Sequence, residues 1–353
     1  MGTAMTQTSQ KKIMIAIGIA LLATIGVLLT IILRPTQEPL VDQEVVSDLS
    51  QEKSSAPLFF STMTHMEGNW TQAASNLAFF EKQAAYLKTA MVYADEYDAV
   101  LTFESEIPFA EGMLRFDHNV FQEALDHGMG IGSHCDISPK IDFTDEEMIA
   151  EFQKRKDAVD ALVDPLENLG CSGGGGLGDW YTGAVGAGFK YIDGTVGYHY
   201  LAMPLSQRPE GWTNKAILSE YYHYPAPWDE AQRYYPFRVS ESSFTEDSDG
   251  KLVVSGGSVG LLEGMAEDQD CQEPCKLTQD DVDVLIEKIR AFAATRDTSR
   301  VAKMEVYIPT QTYDEPAMKY FFEQMRNLQE DGVLQWASQK EIYEAFVAWE
   351  SGS

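Results

Sequence analysis

Positive charge is scarce in this chain. Its 353 residues include 26 Lys and Arg against 55 Asp and Glu, a formal net charge of −29. Binding to nucleic acid or to an anionic lipid surface rests on neutralising phosphate, so this balance argues against both as partners. Cysteine is scarce too: there are four, with no C-x2-C pair to suggest a structural zinc site. No His-Glu-x-x-His motif of a zinc protease helix occurs.

Charge is absent altogether from Ile13 to Leu33, a run of 21 residues. At about 1.5 Å per residue this helix would span about 31 Å, enough for a hydrocarbon core of about 30 Å. Lys11 and Lys12 precede the run and acids follow it, which orients residues 1–12 to the cytoplasm and the bulk outside. A cleaved signal peptide is the competing reading. Its apolar core is shorter, about 7–15 residues, and Leu33-Arg34-Pro35 is a poor cleavage site. The expectation is therefore a retained membrane helix at 13–33, a polar linker at 34–56 and an external domain at 57–353. The first 34 residues hold three basic groups and no acid, so the rest carries 23 basic against 55 acidic groups, a net of −32.

Four cysteines outside the cytoplasm suggest two disulfides. Cys271 and Cys275 could close a small loop, leaving Cys135 to pair with Cys171.

The external part alternates strand-like and helix-like segments. Strands are expected at 58–64, 99–103, 130–137, 189–193, 252–255, 303–308 and 333–337. Helices are expected at 71–91, 119–127, from Thr144 and from Thr278, each of the last two opening with a capping box, and at 179–188 and 339–349. Residues 201–250 are rich in Tyr, Trp and Pro without a clear period and read as an insertion. Such alternation implies an α/β fold with a parallel sheet. About seven units favour a closed (β/α) barrel of seven or eight strands, whose chemistry sits at the C-terminal strand ends.

Those strand ends carry a repeated pattern. His65 and Glu67 stand at the end of the first strand, and His134 and Asp136 at the end of the third, each pair two residues apart and so on one side of an extended chain. Imidazole with carboxylate suits a divalent metal, zinc above all. Glu67 and Glu104 are the candidate general bases. Trp70, Glu106, Asp179, Trp180 and His223 are candidate substrate contacts, joined by the aromatic residues of the insertion, which suit either a carbohydrate wall or loop packing. The run Gly173 to Gly178 contains G-x-G-x-x-G, but that spacing is nearly unavoidable among so many glycines.

The chain resembles the polysaccharide deacetylase (NodB-like) family of deacetylase barrels. The stretch Phe121 to Ser138, FQEALDHGMGIGSHCDIS, resembles that family's helix, glycine and G-x-E-I-G-x-H strand. THMEG at Thr64–Gly68 falls where the family has Thr-Phe-Asp-Asp-Gly, and GFKYID at Gly188–Asp193 resembles a later strand. The resemblance implies a metal-dependent deacetylase on this fold. Met66 stands where the family has its base, Glu67 where it has a metal ligand, and Ser138 where it has a second His. A glycine loop replaces the arginine-proline motif, and Tyr307-Ile308-Pro309 replaces the late Leu-His. The expected function is a membrane-anchored, extracytoplasmic hydrolase of cell-envelope or extracellular carbohydrate. The alternative is an inactive barrel that binds glycans or scaffolds a protein.

Overall fold

A computed structural model describes residues 55–67, 71–267 and 276–352. The expected membrane helix at 13–33, Trp70, Cys271 and Cys275 lie outside these residues. Among the described residues no helix is long and apolar enough to cross a membrane.

Ten strands alternate with helices. They are β1 (Leu58–Met66), β2 (Thr102–Ser105), β3 (Gly130–His134), β4 (Gly170–Ser172), β5 (Tyr191–Asp193), β6 (Phe237–Val239), β7 (Leu252–Val254), β8 (Ser258–Leu261), β9 (Ala302–Tyr307) and β10 (Gln335–Trp336). The main helices are α1 (Leu77–Tyr97), α2 (Ile107–Arg115), α3 (Val120–Asp126), α4 (Asp145–Asp160), α5 (Trp180–Gly186), α6 (Gln279–Thr295), α7 (Ala317–Glu330) and α8 (Gln339–Ser351). Both expected capping boxes form: Thr144 with Glu147 opens α4, and Thr278 with Asp281 opens α6. Each satisfies two otherwise unpaired N–H groups at a helix start.

The strands are hydrogen-bonded in the order β6-β7-β5-β4-β3-β2-β1-β9-β8, with β10 beside β1. Every pairing is parallel except β6 with β7. β1 is central and buried almost throughout, as a strand covered on both faces must be. Ring closure was expected, but no ladder joins the two edge strands, β6 and β8, among the described residues. Lys303 of β9 spans the gap: its N–H donates to the Tyr234 carbonyl just before β6 at 2.8 Å, and its Nζ to the Ser255 carbonyl just after β7 at 2.7 Å. The result is a mostly parallel barrel with one seam bridged by isolated hydrogen bonds.

Four elements escaped the sequence reading. β4 is a three-residue strand where a glycine turn was expected, α2 begins at Ile107 just before Pro108, and β6 and β8 are short edge strands. The insertion starts earlier than 201 and ends earlier than 250. It runs from Gly194 to Pro236, because Phe237–Val239 pairs back onto β7.

The main apolar core lies between the sheet and α1, α2, α3, α6 and α7, with Phe60, Phe80, Leu87, Phe103, Phe109 and Phe321 buried. A second core under the insertion packs Phe152, Trp180, Phe189, Tyr200, Trp212 and Phe244. Polar residues fill the barrel interior. There Lys303 pairs with Glu305 at 2.5 Å, and Gln339 Nε2 donates to Glu305 at 2.8 Å and to Ser61 Oγ at 3.2 Å.

Candidate metal centre

Strand register brings the site together. Paired positions on adjacent strands share a face, and His65 is paired with Glu104, His134 with Ser172, and Ser172 with Asp193. His65 Nε2 lies 3.0 Å from Glu104 Oε2, though off-line for a well-formed hydrogen bond. His134 Nδ1 lies 2.9 Å from Ser172 Oγ. Gly132 lies beside Glu104, and a Cβ there would come within 3.3 Å of its side chain. The two imidazoles stack with centroids 4.0 Å apart.

The other nitrogens face the cleft with the carboxylates. His134 Nε2 is 2.9 Å from Glu67 Oε2 and 3.5 Å from Asp136 Oδ2, and His65 Nδ1 is 3.9 Å from Glu67 Oε1. Two phenols hold the carboxylates: Tyr307 donates to Glu67 Oε1 at 3.0 Å and Tyr198 to Asp136 Oδ1 at 2.7 Å. Gly173 makes room for the second contact. Its φ is +75°, and a Cβ would lie 2.7 Å from Asp136 Oδ1. His65, Glu67, His134, Asp136, Gly173 and Tyr307 sit at C-terminal strand ends, and Tyr198 on a turn of the insertion joins them around a cleft of about 780 Å³.

Glu67 and Asp136 are thus paired by imidazole, not by Lys or Arg. Burial opposes the charge on His134, but Asp136 and Glu67 outweigh it and raise its pKa well above the usual imidazole value. Burial, aided by neighbouring His134, lowers His65 to about 4. Burial would raise Glu67, yet the hydrogen bond and charge of His134 bring it down to about 2. Asp136 is lowered in the same way, against its burial. Deeper in, burial raises Glu104 to about 7, and burial with the Glu104 charge raises Asp193.

The donor set fits a divalent cation. Ligand atoms of His65, Glu67 and His134 lie within 4.8 Å of one another, and so do those of Glu106, His134 and Asp136. Two ligands held at about 2.0–2.2 Å from one zinc ion can be at most about 4.4 Å apart. The separations of 2.9, 3.5 and 3.9 Å meet that limit. The remaining imidazole nitrogens rest against Glu104 and Ser172, the outer support that metal-ligating histidines usually have.

Several expected residues lie elsewhere. Glu104 is not a cleft base: it is 1% exposed, beneath His65, because β2 turns its side chain into the barrel interior. Asp179 is a helix cap, accepting from Thr182 N at 3.1 Å and from Ser242 Oγ at 2.5 Å. Trp180 belongs to the second core, 1% exposed, with its indole N–H on the His199 carbonyl. Two do stay near the centre: Glu106, the residue just before α2, is within reach of His134 and Asp136, and His223 lines the cleft. Cys135 and Cys171 form a disulfide with Cα atoms 5.9 Å apart, in the second core.

Tyr198, Ser172 and Asp193 were missed as site residues, and Tyr307 stood out only as the replacement for an expected Leu-His. One available signal was Gly170-Cys171-Ser172-Gly173-Gly174, which spells the Gly-x-Ser-x-Gly of a nucleophile elbow. Ser172 does meet a histidine, but it is fully buried, with His134 between it and the cleft. It supports the imidazole and is not placed to attack a substrate.

No family model matches the chain, and no curated protein matches its sequence. Solved structures do match. A putative polysaccharide deacetylase from Mycobacterium smegmatis aligns at TM-score 0.53 and 11% identity, over 90% of this chain and 96% of that one. A probable polysaccharide deacetylase from Pseudomonas aeruginosa PAO1 aligns at 0.52 and 11%, over 83% and 92%. A PuuE allantoinase aligns at 0.53 and 12%, over 89% and 98%. The fold is therefore that of the polysaccharide deacetylases, carried by a strongly divergent sequence.

Proposed function

We propose that this chain is a metal-dependent hydrolase of the deacetylase type, acting on cell-envelope or extracellular carbohydrate. The observation that carries the reading is the convergence of His65, Glu67, His134 and Asp136 at the mouth of a deacetylase-like barrel. These four residues would hold the ion, with zinc suited to the mixed nitrogen and oxygen set. Such an ion polarises a carbonyl or activates water.

The chain's own groups have separable tasks. Glu104 keeps His65 turned so that Nδ1 faces the cleft, and Ser172 does the same for Nε2 of His134. Of the two expected bases, only Glu67 reaches the cleft. The Tyr307 phenol, kept protonated by burial and the nearby Glu67 charge, donates its one proton to Glu67 Oε1 and holds that carboxylate in place. Residues 13–33 would anchor the domain outside the cytoplasm, where the Cys135–Cys171 disulfide would persist.

Acetate release from acetylated xylan, acetylated chitooligosaccharides and peptidoglycan by the zinc-loaded protein tests this reading. Release that His134→Ala abolishes supports it. Zinc binding with no acetate release from any of these supports the second reading, an inactive glycan-binding barrel. Two observations favour that one: Met66, at the expected base position, is fully buried, and β9 ends in Tyr307-Ile308-Pro309 without a histidine.

A further inference from the structure

The aromatic residues of the insertion divide into two groups. Trp212, Tyr234 and Tyr235 are buried. Tyr224 and Trp228 are 42% and 46% exposed, and their rings lie 5.9 Å apart at 32° to each other. Leaving large aromatic faces in water forgoes their burial, and a fixed patch of this kind marks a contact surface.

The patch is rigid. The stacked Trp212–Tyr221 pair meets Tyr224 at 89° through Tyr221 and Trp228 at 63° through Trp212. The backbone beneath is tied down as well: Gly197 N donates to Tyr224 O at 2.7 Å, Ala226 N to Thr195 O at 3.1 Å, and Trp228 N to the Tyr200 hydroxyl at 2.8 Å. A platform ordered in advance loses little entropy when it takes a ligand.

The patch also continues the candidate metal centre. Tyr198, which holds Asp136, stacks on Tyr222 at 4.8 Å, and Tyr222 and Tyr224 both line the cleft. Beyond the cleft the line of rings ends at Trp228. Exposed Glu220, Asp229 and Glu230 lie close in sequence, in a chain of net charge −29, which disfavours an anionic polymer.

From this we infer that Tyr224 and Trp228 form a subsite running outward from the edge of the cleft for the pyranose rings of an uncharged polysaccharide, which stack on the two aromatic faces. This rests on the carbohydrate reading of the site and sharpens it: the substrate is a polymer held several sugars from the reacting group. Flat rings with polar edges suit sugars, whose C–H faces stack on aromatics while their hydroxyls stay in water.

The test is titration calorimetry of the full-length protein with chitohexaose, xylohexaose and cellohexaose. The Tyr224→Ala/Trp228→Ala variant should bind the preferred hexasaccharide about 5–30-fold more weakly, the range for losing a central aromatic anchor. Its zinc content should not change, and Trp228→Phe should keep most of the affinity. Equal binding by the double variant and the unaltered protein overturns the proposal, as does failure of all three hexasaccharides to bind. It is also overturned if Trp228→Ala turns a dimer into a monomer in sedimentation, which would make the patch a self-association face. Trp228-dependent hexasaccharide binding without zinc binding would sink the hydrolase reading and leave the subsite standing.

Discussion

Two layers of charge occupy the barrel, and they follow opposite rules. On one face of β9, Lys303, Glu305 and Tyr307 follow each other at alternate positions. The lower layer, around Lys303 and Glu305, is fully buried and holds its own cation. The ammonium meets a carboxylate and the Ser255 carbonyl, and the carboxylate meets Gln339. In the upper layer two carboxylates meet only imidazoles and phenols, beside an open cleft. A buried carboxylate that has its own buried cation belongs to the scaffold. A set of donors without Lys or Arg among them has room to take a cation from outside. The contrast separates charge that has its own buried cation from charge that has none, where residue type alone does not.

The largest expected effect tests the lower layer. Lys303→Met leaves Glu305 buried without its cation and should destabilise the fold by about 3–5 kcal/mol. Urea unfolding measures this, and the zinc affinity of the folded fraction should not change. A drop in zinc affinity there would merge the two layers into one functional unit.

The upper layer should respond the other way. His134→Ala should weaken zinc binding by more than about 100-fold, exceeding the cost of losing an outer-shell partner. Fluorescent-chelator competition measures the affinity. Unfolding free energy without metal should change less than for Lys303→Met, because the carboxylates beside His134, Glu67 and Asp136, reach solvent.

Glu104 sits between the layers and sharpens the comparison. If it acts through His65, Glu104→Leu should reduce zinc affinity by about 10–100-fold, the range for supporting carboxylates. An unchanged affinity would assign Glu104 to the scaffold below.

Much of this was legible in the chain and some was not. His-x-carboxylate at two strand ends was readable because a strand repeats every second residue and barrel chemistry collects at strand ends. The capping boxes of α4 and α6 were readable because they are local. The fates of Trp180 and Asp179 were not, since a Trp beside an Asp looks alike whether it faces a cleft or opens a helix onto a core. β4 was hidden because three residues before a glycine run carry no period. Tyr198 gave no signal, because its partner Asp136 lies 62 residues away and meets it only through tertiary folding.

The smallest effect is on pH. Without metal, Glu67 has a folded pKa of about 2, below its ordinary value of 4.5. A depressed carboxylate stabilises the fold above its unfolded pKa, and that stability is lost as pH falls from about 4.5 towards 2. Glu67 is a third exposed, so after discounting for solvent the loss is about 1–2 kcal/mol. Glu67→Gln should flatten the acid limb of stability measured in a chelator.

The central claim, that the upper layer is built for one divalent cation, is tested most directly by metal analysis with X-ray absorption on the purified zinc-loaded protein. The account predicts one zinc per chain in a shell of two imidazole nitrogens and carboxylate oxygens, with the histidine signal lost in the His65→Ala/His134→Ala variant. Absence of stoichiometric zinc, or an identical spectrum in that variant, would contradict it.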